Sequence, residues 1–160
     1  MNLKLSTVTV AIVSTVLALA ATADTPPPPA RHSGMCDASA ALPVGPTLFV
    51  VANDEDNTLR IYKRDEPGEP VYSQDLSSFL QIDKDHPEAD IEEATLIGSR
   101  IYWITSHGAN KEGKERPNRR RFFATDIESY GNNINLKPAG TPFLDLIQAI
   151  KDSAELKGTI

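Results

Sequence analysis

The chain alternates between short apolar runs and polar loops, and the runs fall into two sets with the same order. The strongest are Leu48-Phe49-Val50-Val51 and Ile101-Tyr102-Trp103-Ile104. Each is rich in aromatic and β-branched residues, too short for a core helix and suited to a strand covered on both faces. Upstream of each run the resemblance continues: Asp37 to Gly45 aligns without gaps on Asp90 to Gly98, and Leu48 to Asn53 then lies over Ile101 to Ser106. The offset is 53 residues throughout. By this repeat Asp54 takes the place of His107. After each pair comes a polar loop and a third apolar stretch, Leu59 to Tyr62 in one copy and Arg121 to Ala124 in the other. Each copy therefore reads strand, tight turn, strand, loop, strand.

Gly45 and Gly98 sit where a hairpin favours a residue free to take positive φ. Thr58 to Lys63 alternates and predicts a half-exposed strand, and Glu69 to Asp75 predicts a fourth strand of the first unit. Meandering strands in units about 50 residues apart are the pattern of propeller blades. The predicted fold class is mainly β: two antiparallel propeller-like blade units, an incomplete propeller, with a C-terminal helix. That helix runs from about Pro142 to Leu156, because Thr141-Pro142 suits its start and Phe143, Leu146, Ile147, Ile150 and Ala154 recur at helical spacing. A shorter helical turn over 143–150 leading into another strand is the alternative.

The N-terminus has a different pattern. Lys4 precedes an apolar run from Leu5 to Ala21, and Ala21-Thr22-Ala23 supplies small residues at a cleavage site. Residues 1–23 are thus expected to be a signal peptide, and the run is shorter than the roughly 20 residues that span a bilayer. An exported product, periplasmic or extracellular, with no transmembrane anchor after cleavage is expected. Pro26 to Pro29 make residues 24–33 a polyproline tether, with the domain at 34–160 and structure beginning near Cys36. Cys36 is the only cysteine, so no disulfide forms within the chain, and it is expected to be a small buried apolar residue.

Charge narrows the function. The chain holds 16 Lys and Arg against 22 Asp and Glu, a formal charge of −6. Loss of Lys4 with the leader makes the exported part more negative still, and nucleic acid is not the expected partner. The charges are segregated. Asp83 to Glu93 is an acidic stretch with Lys84 its only cation, whereas Lys111 to Arg121 is basic.

Asp90 and Glu92 are the residues of the acidic stretch best placed to hold Ca²⁺, since strand alternation points both to one face; a solvated acidic loop is the plainer reading. Asp54 and His107 both follow the central strand of their units and are expected at one rim of the structure. The plainer readings are a strand-connecting turn for Asp54 and a structural role for His107. Ser106 and His107 are adjacent on an extended segment and point apart, so they do not pair as nucleophile and base. Arg116, Arg119 and Arg120 offer forked donors for an anionic group, or ion pairs to the acidic segment if the two stretches meet. Trp103 is expected in the core.

Several of these segments together resemble a known family. They are Met35 to Ala40, Phe49 to Asn57, Asp90-Ile91-Glu92, Ile101 to Gly108 and Lys114-Glu115-Arg116-Pro117-Asn118-Arg119-Arg120-Arg121. Over about residues 34–150 the chain resembles Domain of Unknown Function 3616, which implies an exported or cell-envelope bacterial protein with a β-propeller-like fold. The Asp-Ile-Glu segment is also similar to the Asp-x-Glu-Gly motif of phytase-like and esterase-like propellers, with Glu93 where those carry glycine. A closed propeller takes about four to eight blades. Two units therefore predict an N-terminal part of the family's length, or assembly through an unpaired β edge. Three functions stand at this point: a non-catalytic module that binds a ligand or partner at the rim, a Ca²⁺-assisted phosphoester or ester hydrolase, and an inactive truncated fragment.

Overall fold

The computed structural model describes residues 28–130 and 133–156. The predicted signal peptide and the start of the proline tether lie outside the described residues. Two four-stranded antiparallel sheets form, each with its strands in sequence order. The first contains β1 (Ala38–Pro43), β2 (Leu48–Asn53), β3 (Thr58–Lys63) and β4 (Tyr72–Asp75). The second contains β5 (Ile91–Ile97), β6 (Arg100–Thr105), β7 (Phe122–Tyr130) and β8 (Asn133–Phe143), and α1 (Leu146–Asp152) follows. The mainly-β architecture with a C-terminal helix is thus the one the apolar pattern predicts. Among the described residues no helix is long and apolar enough to cross a membrane.

The sheets meet through β1 and β5. Between them lies one apolar cluster that includes Val50, Ala52, Leu59 and Ile61 from the first sheet and Ile101, Trp103, Phe123 and Leu136 from the second. Each such side chain contributes about 1.5–3 kcal/mol on leaving water. Trp103 is fully buried, stacks on Phe123 at 6.2 Å and donates its indole N–H to Thr125 Oγ1 at 3.0 Å. Leu76, Leu80 and Ala89 in the β4–β5 connection close the cluster.

The repeat is real but its offset is not uniform. Leu42 pairs with Val50, whereas Thr95 pairs with Tyr102 rather than with Trp103, as an unbroken 53-residue offset requires. The cause is the hairpin loop. In the first sheet Val44 N–H bonds Leu48 O at 3.0 Å and leaves Gly45, Pro46 and Thr47 between them. In the second, Ile97 pairs directly with Arg100, leaving only Gly98 and Ser99. Both first strands carry a bulge, between Ala38 and Ala40 and between Ile91 and Glu93, so β1 and β5 do keep the 53-residue offset. β2 and β6 are related by 52. Side chains alternate along a strand, so this one-residue difference decides which residues are counterparts: Val50 matches Tyr102, and Ala52 matches Ile104.

The two turn glycines also differ. Gly98 has φ +64, as a two-residue hairpin loop demands. Gly45 is not in the positive-φ region; a Cβ there would lie 3.2 Å from Ile134 Cδ1, so close approach of β8 is what favours glycine.

Further expectations are corrected. Chain pairing carries β8 to Phe143, opposite Phe122, so Pro142 ends a strand instead of starting the helix. An edge strand tolerates Pro138 and Pro142 because its outer N–H groups have no ladder partner to lose. The helix is therefore seven residues long and buries none of them. β4 begins at Tyr72, not at Glu69.

Structure also starts before Cys36. Ser33 N–H bonds Gly68 O at 3.0 Å, Gly68 N–H bonds Arg31 O at 3.0 Å, and the His32 ring sits 5.1 Å from both Phe49 and Tyr62. Tyr62 donates its hydroxyl to Ser33 O at 2.7 Å. This strap covers Tyr62 on the outer face of the first sheet while Leu59 and Ile61 are buried between the sheets, so β3 is more buried than its alternation suggests. Cys36 lies exposed in the connection to β1, where no core is available to it.

Candidate functional site

The acidic and basic stretches meet at the end of the sheets where β2 and β6 finish, and three buried polar residues hold them there. Asn57, in the β2–β3 turn, donates to Pro87 O at 2.8 Å and accepts from Ala89 N–H at 2.8 Å. Asn118, in a 3-10 turn over Pro117–Arg119, donates to His86 O at 2.5 Å. Arg121 reaches back from the start of β7: its Nε bonds Leu80 O at 2.6 Å, Nη1 bonds Pro117 O at 2.7 Å, and Nη2 bonds Gln81 O at 3.3 Å and Asn118 Oδ1 at 3.2 Å. Burial lowers the proton affinity of this guanidinium, opposed by the charge of Asp83. Carbonyl dipoles are its immediate partners. The basic insertion thus splits into a structural arginine and a set of outward ones.

Arg119 is the cation that joins the two stretches. Its Nη1 lies 2.8 Å from Asp90 Oδ2 and its Nη2 lies 3.1 Å from Glu88 Oε2. Asp90 is buried, stands just before β5 and has φ +60. It reaches the rim through this local backbone, not through strand alternation with Glu92, which occupies the β5 bulge and is exposed. Asp54 and Asp37 from the first sheet join them. Burial raises the Asp54 carboxyl above its usual range, and the charges of Asp37 and Asp90 raise it further. Burial also raises Glu92, helped by Asp90 and Asp54 and opposed by Arg119. Carboxylates from both sheets therefore crowd one place with one guanidinium among them. Asp54 Oδ1 is a buried oxygen with no hydrogen-bond partner.

Main-chain bonds show which rim positions correspond. Asp54 N–H bonds Asp37 O at 3.2 Å and Ser106 N–H bonds Asp90 O at 2.9 Å. Asp54 is therefore the counterpart of Ser106, one residue away from the His107 that the uniform offset implies. His107, at φ +54, turns back on itself: its Nδ1 donates to Thr105 O at 2.8 Å, its backbone N–H bonds Arg119 O at 2.8 Å, and its Nε2 is buried with no partner. The ring braces the insertion and presents no nitrogen to solvent.

Between the two stretches is an open cavity of about 450 Å³. Its walls carry both signs of charge, Lys111, Arg116 and Arg119 together with Asp85, Glu88 and Glu112. Among the described residues the Arg116 guanidinium makes one hydrogen bond, from Nη1 to Glu115 O at 3.2 Å. Arg120 stands apart, ion-paired with Glu115 at 3.0 Å.

The geometry thus gathers Asp54, Asp90, Glu92 and Arg119, places Arg116 in the adjoining cavity and leaves Arg120 and His107 outside. Asp37 was not among the sequence candidates, although its alignment with Asp90 marks it. Asn57, Asn118 and Arg121 fall within the segments that carry the family resemblance, but nothing in the sequence marks them as the residues that bind distant carbonyls. Among the described residues no group of three or more His, Cys, Asp or Glu side chains is placed to hold a metal ion. One Asp90 oxygen is taken by Arg119, so the cluster as arranged does not present the six to eight oxygens that Ca²⁺ takes.

No protein-family model, no curated protein and no solved structure matches this chain.

Proposed function

We propose that this chain is an exported, propeller-like binding module of the kind its resemblance to Domain of Unknown Function 3616 implies, and that it takes a small zwitterionic ligand at the loop end of its sheets. The observation that carries this reading is the cavity of about 450 Å³ whose lining brings Lys111, Arg116 and Arg119 together with Asp85, Glu88 and Glu112. A ligand with adjacent opposite charges answers both sets. The guanidinium fork of Arg116 suits a carboxylate, because two parallel N–H donors match its two oxygens. The carboxylates of the same lining suit an ammonium group. Asn57, Asn118 and Arg121 fix the walls by bonds to backbone carbonyls, so the site is formed before the ligand arrives. Preformed walls reduce the ordering cost of binding.

The test is a titration of the exported chain with diglycine, a zwitterionic dipeptide, followed by amide NMR shifts. Inorganic phosphate and ethylamine serve as single-charge controls. Saturable shifts confined to 85–88 and 109–119 are expected with diglycine, and Arg116→Ala or Asp85→Asn should weaken them more than tenfold. Binding that is unchanged in Arg116→Ala, or no saturable shift at all, sinks the proposal.

A further inference from the structure

The lining of the rim cavity contains an ion pair, Arg119 with Glu88, whose two halves are held very differently. Arg119 is fixed along its main chain. Its carbonyl accepts from Thr105 Oγ1 at 2.6 Å and from His107 N–H at 2.8 Å, and its own N–H bonds Arg116 O at 2.9 Å. At the end of its side chain, Nη1 lies 2.8 Å from Asp90 Oδ2, and Asp90 is 8% exposed. The other nitrogen is held less firmly: Nη2 lies 3.1 Å from Glu88 Oε2, and the Glu88 side chain is 48% exposed. Asn57 pins the main chain on both sides of Glu88, through Pro87 O and Ala89 N–H, so the side chain is the part free to move. An ion pair so exposed is weakly held, because water competes for both charges and ordering long side chains costs rotamer freedom. The bridge therefore has one buried, fixed end at Asp90 and one loose end on the cavity.

We propose that the Arg119–Glu88 pair is a latch that a zwitterion splits, and that this latch disfavours ligands of a single charge. The proposal rests on the zwitterion reading given above and adds which residues enforce it. A ligand carboxylate takes Nη2 from Glu88, while the Glu88 side chain turns to receive the ligand ammonium. One internal ion pair becomes two. Arg116 precedes Arg119 by three residues across the 3-10 turn, a spacing that sets two side chains on the same side, and it lines the same cavity. Its guanidinium fork therefore meets the same carboxylate. An anion alone faces a different balance, since it displaces Glu88 and leaves that carboxylate without its cation. A cation alone draws Glu88 away and leaves Nη2 without its acceptor. Asp90 keeps the guanidinium from following either displaced partner. Selectivity here comes from a contact made before the ligand arrives, which acts against the wrong ligands and not only in favour of the right one.

Titrations of the exported chain and of Glu88→Gln with diglycine and with acetate, followed by amide NMR shifts, test the latch. Glu88→Gln keeps the shape of the side chain and removes the charge that occupies Nη2. Acetate should bind this variant roughly fivefold more tightly than it binds the native chain, the upper end of what an exposed ion pair contributes. Diglycine should bind it no more tightly, so the preference for diglycine over acetate falls by the same factor. Glu112→Gln takes the same charge from the same lining but releases Asn110 instead of an arginine. It should strengthen acetate by less than about twofold, which separates the latch from a general loss of negative charge. Glu88 is at the surface, so its replacement leaves the fold intact, and the fluorescence of buried Trp103 checks this. If diglycine binds the native chain and its preference over acetate survives Glu88→Gln, or if Glu112→Gln has an equal effect, the latch is overturned and the zwitterion site stands. If diglycine gives no saturable shift with the native chain, the site itself falls and the latch falls with it.

Discussion

Replacing Arg121 by Met separates the structural half of the basic insertion from its outward half. Arg121 is 5% exposed, and its guanidinium makes two short bonds, to Leu80 O at 2.6 Å and to Pro117 O at 2.7 Å, with weaker ones to Arg120 O, Gln81 O and Asn118 Oδ1. Hydrogen bonds to a charged group contribute about 1.5–3 kcal/mol each, and a buried carbonyl left without a donor costs about 1–3 kcal/mol. Methionine keeps the aliphatic stem but none of the donors. Counting the two short bonds alone and allowing water to reach part of the vacated space, the expected loss is about 3 kcal/mol. In a domain of this size that lowers the Tm by roughly 12 °C. Trp103 is the sole tryptophan and is fully buried, so its fluorescence through a urea titration reports the loss directly. Arg121→Lys restores a charge but not the fork, and should recover less than half of the stability. Arg116→Met is the control and should cost below about 0.5 kcal/mol, as a surface substitution does. Equal losses for Arg121→Met and Arg116→Met would refute the reasoning.

Three further outcomes are expected. Asp54 has its folded-state pKa raised, so the native protein holds its proton longer than the unfolded chain and stability falls as pH rises through that window. Asp54→Asn should therefore raise the Tm at pH about 7 and leave it unchanged near pH 3; a lower Tm at neutral pH contradicts the assignment. Gly98→Ala forces a side chain into φ +64 and should cost about 1 kcal/mol, whereas Gly45→Ala meets only the flexible end of Ile134 and should be rescued by Ile134→Val, both read by thermal melts. Thr125→Val removes the acceptor of the buried Trp103 N–H and should cost about 1–2 kcal/mol, with a red-shifted emission if water enters to replace it.

Strand positions were legible because burial imposes a period that the chain carries openly. β2 and β6 lie where their apolar runs predict, and Trp103 is core for the same reason. The tail was misread because Phe143, Ile147 and Ile150 have helical spacing, yet β8 had already claimed Phe143 through main-chain pairing, which leaves no mark in side-chain pattern. The meeting of the acidic and basic stretches was readable as an option from their charges. Its details were not, since Asn57, Asn118 and Arg121 act by bonding carbonyls of distant residues, and any backbone supplies carbonyls. Cys36 illustrates the limit of residue-type averages: where the chain passes outside the core, an apolar preference has nothing to act on. The cavity beside Arg116 depends on loop geometry alone.

The single residue by which the two hairpin loops differ carries a lesson about how duplicated units diverge. Losing one residue from a loop turns the following strand over, exchanging every side chain it buries for every side chain it displays. Aligned by sequence, Trp103 is the heir of Val50; by position in the sheet, that place belongs to Tyr102. A short deletion can thus give a copy a new outer surface in one step while its composition and hydropathy barely change. Descent traced through matched apolar letters follows the text of such a repeat, and descent traced through paired backbones follows its surface. In this chain the two genealogies part at Ser99.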